Sequence, residues 1–129
     1  MIRALVMTHG EIGAQLVRVV EMIMGPIAGL TALSNGNKAA TELQDDVKAW
    51  LDKSEDDAGE IILIDDYGGS CASAAVIACG EVENRTIIAG VNLAMLLGYV
   101  TWRDSEDQAE LAAKVLNKGR EAITIVGGR

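Results

Sequence analysis

The stretch Ile61-Ile62-Leu63-Ile64-Asp65-Asp66-Tyr67-Gly68-Gly69-Ser70 decides how this chain folds. Its first four residues are apolar and favour β structure. An unbroken apolar run is typical of a strand that is covered on both faces, as in a parallel sheet. The acidic and glycine-rich residues that follow predict a tight loop, and a helix rich in small residues is predicted at 71–80. The stretch therefore predicts one strand–loop–helix unit of an α/β protein.

Strands and helices alternate along the remainder of the chain. Apolar, β-favouring runs predict strands at 2–7, 27–33, 61–64 and 86–89. Apolar residues at helical spacing predict helices at 11–24, 38–52, 71–80, 93–100 and 105–118. This alternation with short loops indicates an α/β fold, an open, doubly wound sheet of four parallel strands with helices on both faces.

The C-terminal part of the chain carries two further predictions. Ser105 is predicted to cap the last helix, which has acidic residues in its first turn. The tail 122–126 alternates enough to predict a final strand before Gly127. The pattern leaves the direction of this strand open, and an edge strand that reaches outside the subunit would favour a dimer.

Composition restricts the class of protein. At 129 residues the chain is predicted to form one domain, 1–129, with an aliphatic core because Phe is absent. The formal net charge of −8 argues against binding to nucleic acid or to an anionic membrane surface. The N-terminus has no basic leader followed by a long apolar run, and no stretch reaches the roughly 18 apolar residues of a membrane span. We therefore expect a cytoplasmic protein.

Cys71 and Cys79 lie eight residues apart in an apolar helical stretch. The chain has one histidine, so no second one is present to complete a zinc site, and the cysteine spacing does not resemble a metal-ligand motif. Free cysteines are commonly buried. Both are therefore predicted to be reduced core residues, and no metal site is expected.

The single histidine, His9, follows the first predicted strand in the turn Thr8-His9-Gly10. The carboxyl end of a parallel strand, facing the start of a helix, is where α/β proteins place a phosphate or a proton-transfer group. A lone histidine in a loop can equally be incidental. Position alone leaves both interpretations open.

The loop after the third strand should lie beside His9, since the first and third strands are expected to be neighbours. Asp65 there would accept a hydrogen bond from one ring nitrogen and leave the other free as a nucleophile. Gly68, Gly69 and Ser70 add unobstructed backbone N–H groups at a helix start, which suits phosphate oxygens. From the residues alone, a tight turn for the glycines and helix capping for Asp65 remain open.

Other classes of catalytic and nucleotide-binding protein lack their motifs here. The chain has no Gly-x-x-x-x-Gly-Lys-Ser/Thr loop and no Gly-x-Gly-x-x-Gly after the first strand. Ser70 lacks the Gly-x-Ser-x-Gly elbow of a hydrolase nucleophile. What remains is nucleophilic chemistry on phosphorus at His9, or simple binding.

Five segments stand in a specific order and spacing. They are Leu5-Val6-Met7-Thr8-His9-Gly10, Glu21-Met22-Ile23-Met24-Gly25, Ile64-Asp65-Asp66-Tyr67-Gly68-Gly69-Ser70, Ala89-Gly90-Val91-Asn92-Leu93-Ala94-Met95-Leu96 and Gly119-Arg120-Glu121. Together they resemble the mannose-family IIA domain of the bacterial phosphoenolpyruvate-dependent sugar phosphotransferase system, over essentially the whole chain. The chain departs from that pattern at Cys71 and Ala94, where many relatives have Pro, and at Tyr67, where relatives often have Trp.

The resemblance implies a phosphotransferase that works through a phosphohistidine. His9 would accept the phosphoryl group from the carrier protein HPr and pass it to a IIB domain, in sugar uptake of the mannose, fructose or sorbose type. Asp65 would orient the ring, and Gly68, Gly69 and Ser70 would hold the phosphate. The resemblance implies no metal or organic cofactor.

The resemblance also implies a homodimer in which the C-terminal antiparallel strand is exchanged, with membrane association only through other transporter components. Because no IIB domain follows residue 129, we expect a free-standing IIA protein. Two alternatives stay open. One is a regulatory IIA protein of an incomplete phosphotransferase system, still phosphorylated at His9, that reports sugar or nitrogen status by binding another protein. The other is a IIA-like phosphotransfer subunit of a dihydroxyacetone kinase.

Overall fold

A parallel β-sheet forms the centre of the molecule. The computed structural model describes residues 1–128. The strands in that part are β1 (Arg3–Thr8), β2 (Leu30–Ser34), β3 (Glu60–Ile64) and β4 (Arg85–Ala89). They lie side by side in the order β2-β1-β3-β4, and each neighbouring pair is parallel. The predicted sheet of four parallel strands is confirmed for the described residues.

Helices cover both faces of this sheet, as the sequence predicted. In the described part of the chain they are α1 (Ile12–Met24), α2 (Ala40–Asp52), α3 (Gly69–Cys79), α4 (Leu93–Trp102) and α5 (Gln108–Glu121). Buried residues of α1, α4 and α5 join the core on one face, and those of α2 and α3 join the core on the other. No helix in residues 1–128 is long and apolar enough to cross a membrane.

The central strand β3 shows why the apolar run decides the fold. Successive side chains of a strand point to opposite faces. Ile61 and Leu63 accordingly enter the core with α1, α4 and α5, while Ile62 and Ile64 enter the core with α2 and α3. All four are buried. Burial of each such side chain contributes about 1.5–3 kcal/mol to the stability of the fold. This one strand therefore stabilises the packing of both helix layers.

The chain changes direction across the sheet between β1 and β3. It passes from β1 to β2 on one side, then returns to place β3 on the other side of β1. Helices that follow these two strands therefore leave on opposite faces, and their loops diverge. A crevice at this switch point, at the carboxyl ends of the strands, is where open α/β sheets bind ligands.

Several element boundaries differ from the prediction by a few residues. The predicted strand 27–33 begins only at Leu30, because Gly29 has a φ of +81° and cannot continue a strand. The last helix begins at Gln108, and its cap is Asp107, whose Oδ1 accepts a hydrogen bond from the Glu110 N–H at 2.9 Å. The prediction that Ser105 caps this helix is wrong, since its hydroxyl donates to the Trp102 carbonyl instead.

The apolar tail after α5 is exposed in this single chain. Residues 122–126, predicted as a strand, do not form one in this chain, and Ile123, Ile125 and Val126 are 80–96% exposed. An exchanged strand would pair with a second copy of the chain. The dimer and its antiparallel strand therefore stay predictions.

Candidate functional site

His9 lies in the loop between β1 and α1, at the carboxyl edge of the sheet. Thr8 ends β1 and is fully buried, and its Oγ1 accepts a hydrogen bond from the Gly13 N–H at 2.7 Å. Asn35, after β2, donates its N–H to the Thr8 carbonyl at 3.0 Å and accepts from the Gly10 N–H at 3.3 Å. These contacts fix the backbone on both sides of His9, while its side chain stays 49% exposed.

Asp65, directly after β3, holds the imidazole from one side. Its Oδ2 accepts a hydrogen bond from the His9 backbone N–H at 3.1 Å and lies 3.0 Å from the ring Nδ1. An ionised carboxylate can only accept, so Nδ1 carries the hydrogen of this contact. In the neutral ring, the other nitrogen, Nε2, is then left with a free lone pair.

The environment of Asp65 keeps this carboxyl group ionised. Its side chain is only 15% exposed, and burial by itself would raise its pKa. Hydrogen bonds from the His9 ring and backbone N–H, together with the charge of a protonated His9, outweigh burial and hold the pKa of Asp65 below its usual value. Asp65 is therefore a fixed negative charge beside the ring at neutral pH.

Gly69 faces the free side of the imidazole. Helix α3 begins at this residue, and Gly68 is its N-cap. Gly69 has a φ of +87°, and a Cβ placed on it would lie 4.0 Å from His9 Nε2. The backbone of the loop thus approaches Nε2 without a side chain between them. The first N–H groups of a helix have no partner within the helix, and they favour an anion at this position.

The structure brings the predicted site residues to one place. His9 and Asp65 are in contact, Gly69 lies next to Nε2, and Gly68 and Ser70 flank Gly69 at the start of α3. Their arrangement leaves a nucleophilic nitrogen opposite an anion-binding helix start.

Sequence reasoning missed two residues at this site. Asn35 falls between the predicted strand 27–33 and the predicted helix 38–52, yet it fixes the His9 turn from the loop after β2. Cys71 was predicted as a core residue, and both Cys71 and Cys79 are indeed free and buried. Cys71, however, also lies against the site, because its Sγ is within 4.8 Å of potential ligand atoms of His9 and Asp65. Its place directly after Ser70 was the available signal.

The fold and the site define a doubly wound α/β protein with a carboxylate-oriented histidine at the switch point of its sheet. Residues 3–116 match the family model EIIA-man, described as "PTS system fructose IIA component". The chain therefore belongs to this family of phosphotransferase-system IIA components. The resemblance inferred from the five segments is confirmed.

The curated relatives that the chain matches are described as components of a phosphotransferase system. The chain is 34% identical over 119 residues to the "PTS system mannose-specific EIIAB component" of Escherichia coli strain K12, covering 90% of this chain and 36% of that protein. The chain thus spans about a third of the length of the curated relatives that it matches.

Two solved structures are similar over nearly their full length. The mannose/sorbose-specific IIA subunit from Enterococcus faecalis superposes with a TM-score of 0.86 at 25% identity, covering 99% of this chain and 96% of that one. The phosphotransferase component EIIA from Streptococcus agalactiae superposes with a TM-score of 0.88 at 19% identity, covering 97% of each chain. The second likeness supports the fold alone.

Proposed function

We propose that this chain is a phosphoryl carrier in which His9 Nε2 takes up the phosphoryl group. One observation carries the proposal: Nδ1 is held by Asp65 at 3.0 Å, whereas Nε2 faces a glycine at the start of a helix. Membership of the IIA family supports transfer between components of a phosphotransferase system. His9, Asp65, Gly68, Gly69 and Ser70 are the residues to which we assign the transfer.

The chemistry of the step follows from the two ring nitrogens. The Nε2 lone pair attacks phosphorus, an N–P bond forms, and the bond between phosphorus and its donor breaks with its electron pair leaving on the donor. The ring becomes more positive during the attack, and the carboxylate of Asp65 stabilises it through Nδ1–H. Transfer to the acceptor runs through the same steps in reverse.

Binding and positioning of the phosphoryl group fall to the glycine loop. Phosphoryl transfer depends mainly on alignment and on donors to the equatorial oxygens. The open N–H groups at the start of α3 supply such donors, and the missing side chain of Gly69 leaves room beside Nε2. No metal ion or organic cofactor is needed for these roles.

The partners follow from the family. HPr is the proposed donor and a IIB domain the proposed acceptor, and the relatives suggest a sugar of the mannose, fructose or sorbose type. The net charge of −8 would speed encounter with basic faces on such partners at low salt. The sugar-transport descriptions of the relatives favour this carrier role over the regulatory and dihydroxyacetone-kinase alternatives.

Incubation with phosphoenolpyruvate, enzyme I and HPr tests the proposal. The wild-type chain should gain one acid-labile phosphate, and His9→Gln should gain none while it folds normally, because His9 is half exposed and outside the core. Subsequent addition of a mannose-type IIB domain should remove the label. Wild-type protein that stays unlabelled, or a His9→Gln variant that labels equally, would disprove the assignment.

A further inference from the structure

We propose that His9, Asp65 and Cys71 form a binding site for a thiophilic divalent cation, namely Zn²⁺. One potential ligand atom from each of the three residues lies within 4.8 Å of the other two. The three side chains come from the loop after β1, the loop directly after β3 and the first turn of α3. The fold therefore collects three different donors around one point.

The donors match the coordination chemistry of zinc. Zn²⁺ binds imidazole nitrogen, thiolate sulfur and carboxylate oxygen, and three protein ligands plus a water complete a tetrahedron. With bonds of about 2.0–2.3 Å, ligand atoms on one zinc ion lie about 3.3–3.8 Å apart. Separations of up to 4.8 Å thus need to close by about 1.5 Å at most. The half-exposed His9 ring can supply this movement and the entry path for the ion.

A second observation at Asp65 also points to a ligand. Its Oδ2 is occupied by His9, but its Oδ1 is buried and has no hydrogen-bond partner among the described residues. Buried polar atoms are normally satisfied, and an unsatisfied carboxylate oxygen is costly. A cation beside Cys71 would satisfy it. Cys79, buried further along the same helix, is outside this group of residues.

Occupation of this site has a chemical consequence for the imidazole. Zinc binding replaces the proton of the Cys71 thiol, which is released to solvent. An ion on the ring either takes the Nε2 lone pair or displaces the contact between Nδ1 and Asp65. In both cases the ring is no longer a nucleophile oriented by a carboxylate. Resting on the proposed function, we infer that Zn²⁺ and phosphorylation of His9 exclude each other.

Titration with Co²⁺, which reports its ligands spectroscopically, tests the site without reference to phosphorylation. Wild-type protein should show a near-ultraviolet thiolate-to-cobalt charge-transfer band, and this band should disappear when Zn²⁺ displaces Co²⁺. Cys71→Ser and Cys71→Ala should lose the band and bind Zn²⁺ more than about tenfold more weakly, since even loss of an outer-shell partner costs that much. Cys79→Ser is the matched control and should keep both the cobalt band and the wild-type affinity for Zn²⁺. Thermal melts establish that each variant is folded.

The outcomes separate the two proposals. A wild-type protein without the band, a band that survives in both Cys71 variants, or one that disappears in Cys79→Ser would overturn the metal site. Zn²⁺ should also slow labelling of wild-type His9 by phospho-HPr at least tenfold in a chelator-reversible manner, with phospho-HPr formation itself checked at the same Zn²⁺ concentration. Failure to label in the absence of metal would count against the carrier function alone, because the cobalt band is read independently.

Discussion

Replacing Gly69 by alanine distinguishes the phosphate position from simple loop structure. The added methyl carbon would lie 4.0 Å from His9 Nε2, an ordinary contact with the bare ring. No space would remain between the two atoms for a phosphoryl group. Misplacement of reacting groups by about 1 Å costs about 100-fold in rate, so we expect labelling by phospho-HPr to slow by about that factor.

The same substitution also strains the backbone. At a φ of +87°, a residue with a Cβ costs about 1–2 kcal/mol relative to glycine. For a chain of this length the Tm should fall by about 3–10 °C. Gly25→Ala is a matched control, because Gly25 has a φ of +85° with nothing within 4 Å of its added Cβ, and it ends α1 at the opposite edge of the sheet.

Two measurements on both variants decide the outcome. Calorimetry should show similar losses of Tm, while the initial rate of acid-labile phosphate incorporation should fall only for Gly69→Ala. A Gly69→Ala protein that is destabilised like Gly25→Ala and yet labels at the wild-type rate would refute the placement of the phosphoryl group between Nε2 and Gly69.

Four further predictions address the pair at the site and the packing that supports it. Asp65→Asn should slow labelling by phospho-HPr by about 100-fold, within the range for loss of a positioned acid–base partner. The control Asp66→Asn, at the neighbouring exposed residue, should label at the wild-type rate. Equal rates for the two variants would remove Asp65 from the mechanism. The pKa of Asp65 is lower in the folded chain than in the unfolded one, so the ionised carboxylate stabilises the fold. This contribution is fully present above about pH 4 and is lost as the pH falls through the lowered pKa. The difference in unfolding free energy between wild type and Asp65→Asn, measured with urea, should therefore shrink in acid. Tyr99→Phe removes the buried hydroxyl that donates to the Ile2 carbonyl at 2.7 Å, and the unfolding free energy should drop by about 1–3 kcal/mol; a drop below the error of urea titration would mean that water replaces it. Leu63 lies fully buried in β3, and Leu63→Ala should lower the free energy of unfolding by about 2–5 kcal/mol. Ile77→Ala, on the exposed side of α3, should change it little.

The start of α5 shows where local patterns stop being sufficient. Ser105 and Asp107 are both suitable cap residues, and the local sequence does not separate them. The structure selects Asp107 because the next residue, Gln108, is buried and donates to the Glu60 carbonyl at 3.1 Å and to Thr86 Oγ1 at 2.7 Å. These partners lie on β3 and β4, far from α5 in sequence, so tertiary contacts set the first turn of this helix.

The site residues divide in the same way. The sequence pointed to His9, Asp65 and the glycine loop as candidates because strand ends and helix starts are local features with recognisable residues. It placed Cys71 only in the core, because helical periodicity does not show which residues lie across the edge of the sheet, and the position of Cys71 directly after Ser70 was the one local signal. Asn35 was missed for the same reason: its contact with Gly10 joins residues 25 positions apart, in the loops that follow the neighbouring strands β1 and β2.

The sequence by itself determined the class of fold, the order of strands and helices along the chain and the family. Apolar runs, helical periodicity and turn residues are short-range properties, and they can be read without knowing how the elements pack. Only the tertiary structure decided which nitrogen of His9 is free. Parallel pairing of β1 with β3, with Met7 opposite Ile64, brings together His9 and Asp65, which lie 56 positions apart in the chain. Which ring nitrogen carries the hydrogen depends on the 3.0 Å distance between His9 Nδ1 and Asp65 Oδ2, and the order and register of the strands fix that distance.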